Sequence, residues 1–149
     1  MIAALADTSA LVSLEIKHIV ALASKFIQFS IPTGVCEELK EIAQFDDVHG
    51  RSAKDVLNLV EDGIITVKSV RADQKHTENI DPGEAEVLTL AESGVYDYIL
   101  TDDVKALPYI KSVARVKVFQ HSRIQMMGQS LLEFQTIEKF SELTSEITH

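Results

Sequence analysis

Ile2-Ala3-Ala4-Leu5-Ala6-Asp7 opens the chain as a short apolar run that stops at a carboxylate. A run that is apolar throughout, rather than alternating, suits a parallel strand buried on both faces. A second such run, Tyr98-Ile99-Leu100-Thr101, stops at Asp102-Asp103. In an open parallel sheet ligands bind beyond the carboxyl ends of strands, so two acidic strand ends can share one crevice. The alternative is that each aspartate only caps the helix that follows it, a position for which Asp is strongly preferred.

Outward from these runs, helical and strand patterns alternate. A helical stretch through residues 18–29 places Ile19, Leu22, Ala23 and Phe26 at helical spacing. Residues 33–45 predict a second helix after Pro32, with Thr33 as its N-cap. Residues 47–61 predict a third, closed by Asp62-Gly63, and the β-branched residues of 64–70 a strand. Residues 71–80 are polar and read as a loop. Asp81-Pro82-Gly83-Glu84 then opens a helix to about Ser93, with Asp81 at the N-cap and Pro82 at the first helical position. The helix expected over 106–113 carries Pro108, so it is kinked or begins late. Residues 116–119 read as a last strand, and the chain from Ser122 onward as helical. Strands separated by helices predict a three-layer α/β/α sandwich around a mostly parallel sheet. Nothing resembling a repeat or linker interrupts it, which predicts a single domain over residues 1–149.

Composition narrows the function. The formal charge of −9 argues against a protein that simply coats nucleic acid. It leaves room for a nuclease, whose clustered carboxylates count as negative but are neutralised by metal in the working site. One cysteine, Cys36, cannot form an intrachain disulfide, which points to a reducing, cytoplasmic setting. Asp7, Glu15 and Lys17 interrupt the apolar N-terminus, so neither a signal peptide nor a membrane span is expected.

Two glutamates stand where a core is expected. Glu38 shares a helical face with Val35, Leu39, Ile42 and Phe45, while Glu37 and Glu41 point away. Glu84 shares a face with Val87, Leu88 and Ala91, while Glu86 points largely away. A carboxylate on an apolar face is costly unless paired or bound to metal. The plainer alternatives are that Glu38 reaches water at the edge of its stripe and that Glu84 completes a capping box with Asp81. Converging carboxylates repel one another, and a divalent cation removes that repulsion. Oxygen-only ligands suit Mg²⁺ or Mn²⁺. His18, His49, His76, His121 and His149 are scattered, with no pair at ligand spacing, which disfavours structural zinc.

Asp7-Thr8-Ser9-Ala10-Leu11 resembles the opening motif of the PIN-domain family: an aspartate after the first strand, a small hydroxyl residue two later, then aliphatics. Glu38 before Leu39 is similar to the family's second acidic position, and Glu84 in Gly83-Glu84-Ala85-Glu86 to the third. Thr101-Asp102-Asp103 is similar to its strand-end acidic motif. Many toxin-type members carry aspartate at the third position, where this chain has glutamate. The resemblance implies a ribonuclease, free-standing or the toxin of a toxin–antitoxin pair, with an antitoxin protein as partner. It implies one or two Mg²⁺ or Mn²⁺ ions held by Asp7, Glu38, Glu84 and Asp102 or Asp103. Such ions would activate a water for in-line attack on a phosphodiester. Ser9 would position that water or a phosphate oxygen, or serve only as a hydroxyl near a helix start.

Residues 104–132 hold no Asp or Glu, yet carry Lys105, Lys111, Arg115, Lys117 and Arg123. RNA phosphates can lie there while the acidic cluster cuts, unless the stretch is merely a solvated basic face. The apolar residues Ile124, Met126, Met127, Leu131, Leu132 and Phe134 can supply a homodimer contact. Two other function classes fit the same residues: a phosphatase using Asp7 as nucleophile, and a non-catalytic interaction module on the same fold.

Overall fold

The computed structural model describes residues 1–119. Strand β1 (Ile2–Ala6) leads into helix α1 (Thr8–Ile16), the short α2 (Val20–Ala23) and strand β2 (Ile27–Pro32). Helices α3 (Thr33–Ile42) and α4 (Val48–Glu61) precede β3 (Thr66–Lys68) and the single turn α5 (Gln74–Thr77). Helix α6 (Pro82–Ala91), β4 (Tyr98–Leu100), α7 (Leu107–Val113) and β5 (Lys117–Phe119) complete the described chain.

The strands form one sheet in the order β3-β2-β1-β4-β5, with every pairing parallel and helices on both faces. This is the expected α/β sandwich. β1 lies at the centre, and Ala4, Leu5 and Ala6 are at most 1% exposed, which accounts for its unbroken apolar sequence. Truncating a side chain as enclosed as Leu5 to alanine would cost about 2–5 kcal/mol. The strand order reverses between β1 and β4. A crevice opens at such a point beyond the carboxyl ends of the strands, here occupied by Asp7 and by Asp102-Asp103.

Several local expectations are corrected. The helix expected through residues 18–29 is confined to α2, and the chain from Ile27 is strand. In β2 only Gln28 is exposed, so the strand is buried on both faces, and its pairing with β1 and β3 overrides the helical spacing. Pro32, not Thr33, holds the N-cap position of α3. That helix ends at Ile42 with Ala43 as C-cap, so Phe45 leaves the buried stripe and is 64% exposed. Residues 71–80 are not all loop: Asp73 caps α5 through the Lys75 amide, and His76 is buried. Pro108 lies in the first turn of α7, so that helix begins late rather than kinking. Among the described residues no helix is long and apolar enough to cross a membrane. The expected C-terminal helix, Arg123 and the proposed dimer residues lie outside the described residues.

Candidate metal centre

Asp7 is the N-cap of α1 and also a wall of the crevice, so the two readings of it are compatible. Its Oδ1 accepts the Ala10 amide at 2.9 Å and the Ser9 hydroxyl at 2.8 Å. Its Oδ2 accepts the Thr101 hydroxyl from the end of β4. The Asp7 amide in turn donates to the Leu100 carbonyl at 3.1 Å. The carboxyl ends of β1 and β4 are thereby laced together around one carboxylate.

Asp7 lines a cleft of about 350 Å³ together with Glu38, Asp81, Glu84 and Asp103. Thr8, Ser9, Val12, Ser13 and Ile16 of α1 form one wall, and His49 contributes from α4. Glu38 enters from α3, and its Oε2 accepts the Thr8 hydroxyl at 2.8 Å. Close packing against Gly83 holds it there: a Cβ on Gly83 would lie 2.3 Å from Glu38 Oε1. Glu84, Asp81 and Asp103 each present an oxygen within 4.8 Å of the others. These are hard donors in a set that suits Mg²⁺ or Mn²⁺.

The electrostatics are those of a crowded, partly buried acidic group. Burial pushes the Asp7 carboxyl above its ordinary value, against hydrogen bonds from Thr101, Ala10 and Ser9, and the charge of Asp103 adds to the rise. Glu38 is likewise raised by burial, which the Thr8 hydrogen bond opposes. Glu84 is pushed up to about 9 by burial and by its hydrogen bond to Asp103. Asp103 moves the other way, held down chiefly by that same hydrogen bond. At neutral pH Glu84 therefore carries a proton that a cation can replace.

The structure brings Asp7, Glu38, Glu84 and Asp103 into one cleft. It divides the two strand-end aspartates: Asp103 lines the cleft, while Asp102 accepts the Ser13 hydroxyl at 2.5 Å. Ser9 donates to Asp7 and accepts the Asp102 amide at 3.0 Å, so its hydroxyl bridges the two strand ends. Glu37 is exposed and pairs with Lys40 at 3.1 Å. Glu86, expected to point away, is half-buried and accepts the Gly34 amide at 3.2 Å. Lys105, Lys111, Arg115 and Lys117 are exposed along α7 and its flanks. Lys105 is close enough to Asp103 for its charge to favour the ionised carboxylate.

Sequence reasoning missed Asp81, Thr8 and Thr101. Asp81 reads as an N-cap, but its side chain makes no capping bond and instead joins Glu84 and Asp103. Its spacing three residues before Glu84 was the available signal, since i and i+3 share a helical face. Thr8 and Thr101 each adjoin a site carboxylate in sequence, which alone would not have distinguished them.

Residues 3–115 match a family model described as a PIN domain. No curated protein matches the chain.

Proposed function

The chain belongs to the PIN-domain family, and from that premise we propose that it is a metal-dependent ribonuclease acting in the cleft between β1 and β4. The family's fold is of nuclease type. The observation that carries the finer reading is the convergence of Asp7, Glu38, Asp81, Glu84 and Asp103 on a single cleft. A set of carboxylates this close is repulsive without a positive charge among them.

Asp81, Glu84 and Asp103 would hold Mg²⁺ or Mn²⁺, with Asp7 and Glu38 completing the ring of oxygens around the cleft. A divalent cation bound there supplies a Lewis acid for the phosphodiester and lowers the pKa of a bound water. The protein's own part is positional. Ser9, Ala10 and Thr101 fix the Asp7 carboxylate from both sides, and Thr8 fixes Glu38. Glu84 would give up its proton to offer its carboxylate to that cation. Lys105, whose charge favours the ionised Asp103, would hold a backbone phosphate at the cleft, while Lys117 pairs with the first residue of β4 at the amino end of the sheet, so it and Arg115 would meet only phosphates farther along the RNA.

Asp7 as a phosphatase nucleophile is disfavoured by its surroundings: it is 4% exposed and both its oxygens accept hydrogen bonds. We further propose, as the biological setting, the toxin of a toxin–antitoxin pair. Growth arrest on expression, relieved by the product of a neighbouring reading frame, supports that setting, and normal growth opposes it. The chemistry is tested by incubating the protein with RNA and Mn²⁺ or Mg²⁺, with a chelator control. Cleavage that the chelator abolishes supports the reading; intact RNA under all conditions contradicts it.

A further inference from the structure

Where α1 ends against α4, Glu15, His18 and Asp55 bring one ligand atom each to within 4.8 Å of one another. None of the three lines the cleft. Glu15 lies seven residues beyond Thr8 on α1, about 10 Å along the axis at ~1.5 Å per residue. It is 7% exposed, and its Oε1 has no hydrogen-bond partner among the described residues. A carboxylate buried in this way is costly unless something positive meets it. Burial pushes it above the ordinary range and the charge of Asp55 adds to that, against the Val20 amide and His18. His18 is exposed in the turn after α1, and Asp55 is half-buried on α4, so solvent reaches the group from outside.

We propose that Glu15, His18 and Asp55 form a second divalent-cation site, selective for transition metals such as Zn²⁺, that ties the end of α1 to α4. The buried Glu15 oxygen is the deep ligand, and His18 and Asp55 close over it from the rim. An imidazole nitrogen with two carboxylates suits Zn²⁺ and its neighbours, whereas Mg²⁺ is bound through oxygen alone. Two carboxylates match the charge of one such cation. Three protein ligands leave room for a water in the remaining position. The scattered histidines gave no hint of this site in sequence, because Asp55 arrives only through the packing of α4 on α1. Both helices also wall the cleft, through Val12, Ser13 and Ile16 on α1 and His49 on α4. A cation here would hold those walls together, and the site stands whether or not the cleft cuts RNA.

The test is Zn²⁺ titration calorimetry on the full chain carrying Glu84→Gln and Asp103→Asn, which disables the cleft cluster, in excess Mg²⁺. Uptake of a single Zn²⁺, with a rise in Tm, is expected. Adding His18→Asn or Asp55→Asn should abolish both the uptake and the rise. Asn tolerates the left-handed backbone of His18, at φ 56°, so the first substitution does not strain the turn. The two substitutions are made separately, so the outcome does not depend on either variant alone. Absence of Zn²⁺ uptake in the cleft variant overturns the proposal, as does uptake that survives both substitutions.

Discussion

Glu84 and Asp103 share one proton in the cleft, Glu84 raised to about 9 and Asp103 held below its ordinary value by the same hydrogen bond. A carboxyl whose folded pKa is raised stabilises the protein fully below its unfolded pKa and loses that contribution as pH climbs through the folded value. For Glu84 the window runs from the ordinary 4.5 to about 9. The folded state binds more protons than the unfolded state across it, so stability of the metal-free protein falls as pH rises. Asp103 works in the opposite sense, and its contribution is lost as pH falls through its lowered value. Glu84→Gln should flatten the decline and raise the Tm of metal-free protein at the alkaline end. Thermal melts in chelator over that window check this. An unchanged decline in the mutant would place the proton elsewhere.

Cation binding should expel the Glu84 proton. Affinity for Mn²⁺ should therefore increase with pH up to about 9 and level off above it. Calorimetry in buffers of different ionisation enthalpy reads the proton release directly. Buffer-independent heats at neutral pH would show that the cation does not displace that proton.

Gly83 has no side chain because Glu38 occupies the space. An added Cβ would meet Glu38 Oε1 at 2.3 Å, and the flexible carboxylate, rather than the backbone, would give way. Gly83→Ala should thus lower cleavage strongly, by up to about a hundredfold for a displacement near 1 Å. Stability should change little, since alanine favours the helix by about 1 kcal/mol over glycine. Paired rate and Tm measurements check the split. A large drop in Tm with unchanged activity would contradict it.

Glu38 and Glu37 are neighbours with different surroundings. Glu38 takes the Thr8 hydroxyl within the cleft, whereas Glu37 is 61% exposed in its side chain and pairs with Lys40. Glu38→Gln should cost far more activity than Glu37→Gln, and exposed pairs such as Glu37–Lys40 contribute little stability. Equal losses at the two positions would remove Glu38 from the site.

Much of this arrangement is legible in the chain itself. Asp7 and the Asp102-Asp103 pair are marked by the apolar runs they end, and Glu38 and Glu84 by sharing faces with Val35 and Val87. What periodicity could not reach depends on neighbours distant in sequence. β2 is a strand because Phe29 and Ile31 are enclosed between β1 and β3, and its apolar spacing alone suits a helix equally well. Asp81 hides behind the N-cap preference for Asp, which Asp7, Asp47 and Asp73 satisfy with capping bonds and Asp81 does not. The division of labour between Asp102 and Asp103 is set by Ser13 on α1, which no local pattern links to β4.

The claim that this cleft cuts RNA with a divalent cation is tested most directly by comparing wild type with Asp7→Asn. Asparagine caps a helix as well as aspartate does, so the fold should persist while one negative charge leaves the cleft. Cleavage rates are measured on single-stranded RNA at matched Mn²⁺ concentration, with matched Tm as the control for folding. Wild type should cleave in a way that a chelator abolishes, and Asp7→Asn should show only background cleavage. A folded Asp7→Asn protein that cuts as fast as wild type would contradict that claim.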